Sequence, residues 1–168
     1  MAGSDFLYVD IVGDRNLTRN LDQMPDIVRA ILLEKVASWT NALEERVKDN
    51  ISTRLTQKSG KLLSAVDSEL IEENGKVEGR VFISGVPYAK PQEEGAVTPL
   101  HVIYPKNAKV LAFIAATGDK VFATRVLHPG AQIPASHFMK DAYREMGPQI
   151  SRGIKQAVVE GIRKNMRS

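Results

Sequence analysis

Histidine is the side chain best suited to move a proton or hold a metal ion near neutral pH. This chain has three, His101, His128 and His137. No two of them stand three or four residues apart, the spacing that puts two ligands on one helical face. His128 lies in a Leu-His-Pro-Gly turn and His137 at the start of an expected helix, so both read as structural. The run Lys58-Ser59-Gly60-Lys61-Leu62 resembles a phosphate-binding loop only superficially. That loop needs glycine where Leu55 stands and a hydroxyl where Leu62 stands. The carboxylate pairs Glu72-Glu73 and Glu93-Glu94 are adjacent, so their side chains point apart on a strand or a helix and do not converge on one bond. The chain has no cysteine, hence no thiol nucleophile, and no Gly-x-Ser-x-Gly elbow. These residues assemble no reaction: the expectation is a protein that is not an enzyme, with no catalytic residue, no metal site and no cofactor.

The elements that would carry these residues follow from periodicity. Asp5-Phe6-Leu7-Tyr8-Val9-Asp10-Ile11-Val12 is β-branched and aromatic enough for a strand, stopped by Gly13-Asp14-Arg15-Asn16. Pro25 suits a helix start. From there Ile27, Ile31 or Leu32, Val36, Trp39, Leu43, Val47, Ile51 and Leu55 recur at steps of three and four, up to Gly60. The spacing predicts one long helix over about residues 25–59, about 45 Å at 1.5 Å per residue. A compact chain of this length is roughly 40 Å across. One end of the helix is therefore expected to overhang, with Trp39, Leu43, Val47 and Ile51 on offer to another subunit.

A short helical turn over residues 61–66 precedes a hairpin around Asn74-Gly75, a strong two-residue turn signal. A strand at His101-Val102-Ile103-Tyr104 ends at Pro105, and a second hairpin closes around Thr117-Gly118-Asp119. Two C-terminal helices are expected within residues 136–166, separated by Gly147-Pro148. The reading is a single α+β domain over residues 1–168. Its antiparallel sheet of two hairpins plus the N-terminal strand occupies about residues 66–126, packed with the long helix and the two C-terminal helices.

Composition agrees with one globular domain: 168 residues, 43% hydrophobic and 26% charged. The N-terminus lacks a basic segment followed by an apolar core, and no apolar run approaches the length needed to span a bilayer, so neither a secretory signal nor a membrane span is expected. The net charge of +3 is uneven, −3 over residues 61–97, +3 over 98–133 and +4 over 134–168. On the last helix Arg152, Lys155, Arg163 and Arg167 fall within about 120° of one another, opposite Ile150, Ile154, Val158 and Ile162. This is the solvated face of an ordinary amphipathic helix, or a positive surface turned toward DNA phosphates or an acidic face of the next subunit.

Three motifs lie in order over residues 88–138. Tyr88, Ala89, Glu93 and Gly95 form the first, Ile103, Pro105, Lys106, Leu111 and Phe113 the second, and His128-Pro129-Gly130 with Pro134 and Phe138 the third. Their order and spacing resemble the tail-completion, or neck, family of long-tailed bacteriophages, whose members are minor tail proteins of the head–tail joint. Ala96 stands where the family usually has threonine, and more residues separate Pro134 from Phe138 than is usual in it.

The resemblance implies a structural virion protein that forms a ring or collar, sixfold or a multiple. Such a ring completes the tail and helps join it to the DNA-filled head. Its partners would be its own copies, other neck and tail proteins and double-stranded DNA in transit, with no membrane. Its location would be the virion, after host cytoplasm during assembly. The alternative from the residues alone is a small DNA-binding module using the basic C-terminal helix.

Overall fold

The computed structural model describes residues 7–12, 25–56, 59–73 and 76–167. In chain order the elements are β1 (Leu7–Val12), α1 (Asp26–Arg54), α2 (Lys61–Ser64), β2 (Val66–Glu73), β3 (Lys76–Ile83), α3 (Ala89–Glu94), β4 (Ala96–Thr98), β5 (His101–Ile103), β6 (Leu111–Ile114), β7 (Lys120–Ala123), β8 (Val126–His128), β9 (Ala131–Ile133) and α4 (Phe138–Asn165). The class is α+β with antiparallel pairing, as the periodicity predicts. The expected stop at residues 13–16 and the Asn74-Gly75 turn lie outside the described residues, although Glu73 and Lys76 pair on either side of that turn.

Helix α1 begins just after Pro25, whose carbonyl accepts hydrogen bonds from Val28 N–H and Arg29 N–H. Its buried stripe is Val28, Leu32, Val36, Thr40, Leu43, Val47, Asn50 and Ile51. The stripe starts at Val28, and Ile27 is exposed. The helix stops at Arg54, short of Gly60, because Leu55 turns extended while its N–H still bonds to the Ile51 carbonyl. Gly60, with φ 66°, instead opens α2 from the left-handed region that suits glycine.

The expected overhang does not occur. A single helix, α4, runs antiparallel along α1 and covers it from end to end. Val28 meets Gly161, Trp39 packs over Gly153, Arg46 pairs with Glu145, and Asn50 Nδ2 donates to the Phe138 carbonyl at 3.0 Å. Leu43, Val47 and Ile51 are fully buried within the chain and so are not available to a neighbour, while Trp39 packs against the same core and is half-buried. Two helices of nearly equal length bury each other's stripes, which removes the reason for an overhang.

Helix α4 replaces the two expected C-terminal helices. Gly147-Pro148 lies inside it without ending it. Pro148 and Arg144 are both exposed, so water can reach the Arg144 carbonyl that proline leaves without a donor. Its buried stripe is Ile150, Ile154, Ala157 and Gly161, while Ile162 is half exposed. A Cβ on Gly161 would stand 3.0 Å from the Val28 Cα, so the smallest side chains mark where the two helices come closest.

The other side of α1 lies on a three-stranded sheet ordered β1-β3-β2. Val77, Gly79, Val81 and Ile83 of β3 turn inward, and Glu78, Arg80 and Phe82 turn outward. Gly79 is where the helix crosses: a Cβ there would stand 1.8 Å from Thr40 Oγ1. The Thr40 hydroxyl itself donates to the Val36 carbonyl at 2.8 Å, so it is buried and satisfied. Ser68 Oγ donates to Glu44 at 2.5 Å, and Arg29 pairs with Glu72, which tie β2 to the helix. The second expected hairpin does not join this sheet. Its strands form a separate ribbon, described below.

Two outcomes test this packing. Gly79→Ala should destabilise the fold by about 1–3 kcal/mol in urea denaturation, and Thr40→Ala in the same chain should return part of that loss. Leu43→Ala should cost about 2–5 kcal/mol, and a value independent of protein concentration would establish that the site belongs to one chain.

Candidate functional site: an exposed ribbon and its anchor

Residues 96–133 form one long antiparallel ribbon built from three nested ladders. Strand β4 pairs with β9, β5 with β8, and β6 with β7. The tip turns at residues 115–119, where Ala115 N–H donates to the Asp119 carbonyl and Gly118 N–H to the Ala115 carbonyl. Pro105 and Lys106 do not make this turn. They sit in the loop between β5 and β6 that interrupts one leg.

Not one residue from 94 to 137 is buried. The ribbon is nevertheless apolar on both faces. Leu111, Phe113, Val121 and Ala123 share one face of the tip, and Ala112, Ile114 and Phe122 share the other with Lys120. Ile114 is 76% exposed, Val97 76%, Leu100 63% and Phe122 61%. A two-stranded ribbon has no second layer to cover such residues and is marginally stable alone. Exposed apolar surface of this extent is uncommon on a monomeric protein.

The first and third motifs converge where the ribbon leaves the body. Tyr88 precedes α3 and is partly exposed, Ala89 is buried, and Pro91 falls in the first turn of α3, where its missing N–H is not needed. Glu93, only 4% exposed, reaches across to α4, whose own N-cap position, His137, provides no side-chain cap. Its two carboxyl oxygens accept hydrogen bonds from Met139 N–H at 3.0 Å and Lys140 N–H at 2.9 Å. A negative side chain at the positive end of a 28-residue helix is favoured by the peptide dipoles as well as by these bonds. Backbone bonds run beside it, from Ser136 N–H to the Gln92 carbonyl and from His137 N–H to the Glu93 carbonyl.

Helix α1 closes the anchor from the other side. Arg54 donates to the Ser136 carbonyl at 2.9 Å and to Asp141 at 2.7 Å. Together these bonds hold His137 in the left-handed region, at φ 49°, where non-glycine residues are uncommon. Gly95, at φ 80°, lets the outgoing leg pass within van der Waals contact of the returning one, since a Cβ would lie 3.1 Å from both Ala135 N and the Ile133 carbonyl. Gly130, at φ 90°, does the same further out, where a Cβ would lie 2.3 Å from the Thr98 carbonyl. Phe138 and Met139 then enter the core completely.

The histidines take structural places. His101 and His128 face each other across β5 and β8 with their rings stacked, centroids 4.9 Å apart. His101 Nδ1 bonds to the Pro99 carbonyl, and Gly130 N–H donates to His128 Nδ1, so the two rings carry their protons on different nitrogens. Among the described residues no group of three or more His, Cys, Asp or Glu side chains is placed to hold a metal ion, and no helix is long and apolar enough to cross a membrane. An open cleft of about 500 Å³ lies beside Leu55, Lys61, Tyr88 and Gln92.

Arg152, Lys155 and Arg163 lie exposed on α4, and Arg167 is exposed just past its C-terminal end. Val159 and Ile162 are exposed in the same stretch, and Glu160 pairs with Lys164 there. Comparison of the chain with protein-family models, with curated proteins and with solved structures finds no match.

Sequence reasoning missed the Glu93 cap and the Arg54–Asp141 bridge, both made between residues far apart in the chain. The available signal was negative: His137-Phe138-Met139-Lys140 opens a long helix with no capping side chain of its own. Glu93→Ala should cost about 1–2 kcal/mol, the upper part of the N-cap range, and Glu93→Gln, which keeps one acceptor, should cost less by urea denaturation.

A pH dependence follows as well. The Arg54 guanidinium holds the Asp141 carboxyl below the usual carboxylate range. At Glu44 burial pushes the carboxyl up, but hydrogen bonds from Lys48 and Ser68 outweigh it and leave it low. Both groups bind protons less readily folded than unfolded, so the stability they contribute is complete above the ordinary carboxylate value of about 4 and is lost as the pH falls below it. Melting temperature should therefore drop from about pH 5 to pH 3, and Asp141→Asn should flatten that acid limb.

Proposed function

We propose that the chain is a structural subunit of the bacteriophage neck or tail top. It forms a ring or collar of its own copies that completes the tail and helps join it to the DNA-filled head. The observation that carries this reading is the ribbon: a long apolar element with no place in its own core, hung on an anchor that holds the motif residues Ala89, Glu93, Gly95 and Phe138, with Tyr88 just before it and His128, Pro129 and Gly130 further out along the ribbon. Such a surface is made to be covered by another protein. A motif that shapes the base of a docking arm also explains why its histidines and glutamates form no reactive cluster.

The basic side of α4 favours a second reading, a small module that binds DNA through phosphates. Val159 and Ile162 among the cations, and the Glu160 carboxylate beside them, suit a protein neighbour better than a phosphate backbone. In the neck reading this side of α4 is a further contact, to DNA in the channel or to an acidic subunit face.

Phage particles assembled without this protein should accumulate filled heads and free tails, and purified protein should restore joining and appear as rings by electron microscopy. Normal joining in its absence would overturn the reading. Tight DNA binding that weakens steeply with salt and is lost on reversing Arg152, Lys155 and Arg163, in a protein that stays monomeric, would establish the second one.

A further inference from the structure

The three-stranded sheet has a second face that none of the described residues covers. Helix α1 lies on its inner side, while Tyr8, 58% exposed, and Phe82 sit side by side on the outer one, at paired positions of β1 and β3. Around them stand four carboxylates, Asp67, Glu69, Glu73 and Glu78, at outward positions of β2 and β3. Among the side chains described on this face there is one cation, Arg80, engaged by Glu69, Glu78 and the Tyr8 ring. The face is an aromatic strip inside an acidic rim.

The ribbon is its complement. Its tip carries Ile114 and Phe122 on one face, with the Lys120 ammonium over the Phe122 ring. Lys106, Lys109 and Arg125 stand along it, and its one acid, Asp119, is hydrogen-bonded to Thr117 in the turn. We propose that the ribbon tip of one copy lies across the outer face of the three-stranded sheet of the next. Ile114 and Phe122 pack on Tyr8 and Phe82, and the ribbon cations meet the carboxylate rim. Two apolar sheet faces then stack as layers about 10 Å apart, which is how sheets ordinarily bury their faces.

The occupant is a second copy of this chain because both halves of the match, apolar against aromatic and net +3 against net −3, are present on it. The two surfaces differ, so the contact is head-to-tail: each copy gives a ribbon and receives one. That arrangement closes into a ring when the rotation permits. The inference rests on the reading of the protein as a self-assembling subunit and assigns that assembly its contact.

Charge reversal tests it by sedimentation. Lys109→Glu, Lys120→Glu and Arg125→Glu together reverse the ribbon. Asp67→Lys, Glu69→Lys and Glu73→Lys together reverse the sheet. Each set lies on exposed side chains, and circular dichroism checks that the chains remain folded. Either set alone should weaken self-association by at least about tenfold. An equimolar mixture of the two should associate again, because every ribbon then meets a sheet of opposite sign.

A covalent readout runs in parallel. The chain has no cysteine, so Tyr8→Cys with Phe122→Cys should give an oxidised ladder of multimers, and either cysteine alone should not. Loss of association with the reversed ribbon but not the reversed sheet, or a mixture that fails to recover, overturns this contact and leaves self-assembly standing. A wild-type chain that is monomeric at every concentration overturns both.

Discussion

The positive end of α4 has no capping side chain of its own, and the fold around the ribbon depends on how that deficit is met. A helix this long leaves its first N–H groups unpaired and concentrates partial positive charge on them. Glu93 supplies both oxygens from α3, and because α3 stands immediately before the outgoing leg of the ribbon, the same contact fixes where that leg departs. The returning leg ends at Ser136 and His137, whose backbones bond to Gln92 and Glu93. The Glu93 carboxyl group and these backbone bonds together hold the helix start and both roots of the ribbon in a single cluster. Arg54 and Asn50 bind that cluster to the end of α1, so the anchor is continuous with the core.

This arrangement separates rigidity from exposure. The body buries its apolar stripes in two antiparallel helices and one face of a sheet, with glycine at each point of closest approach. The ribbon buries nothing, and its ladders of three and four residue pairs are too short to stabilise it against both water and its own apolar surface. An element so placed contributes little to the stability of the single chain. Hydrogen bonds join the roots of the ribbon to α1 and α4, and Gly95 and Gly130 let its two legs approach closely.

The charge distribution has the same logic. Acidic groups cluster on the open face of the three-stranded sheet, and basic groups on the ribbon and the solvent side of α4. Charges this exposed add little to folding, since water screens them. In the proposed assembly their separation by sign orients one copy toward another and disfavours contacts between like faces. A chain with a small net charge can in this way be strongly polar in its surface.

Much of the architecture is local information and was legible in the residues. Steps of three and four placed the start of α1 to within a residue and overran its end at Arg54 by about five residues, more than the 3.6 of one turn. Asn74-Gly75 and Thr117-Gly118-Asp119 bracketed the two hairpins, and alternation marked their strands. The three motifs could be seen as turns and caps without a reactive group among them. What could not be read were relations between distant segments: that α4 rather than another subunit covers Leu43, Val47 and Ile51, that Pro148 is tolerated because its side of the helix faces water, and that the second hairpin leaves the sheet. Each of these depends on which apolar faces meet and which remain open. Periodicity defines a face but not its partner, because burial free energy is non-directional and only the folded chain decides what lies opposite.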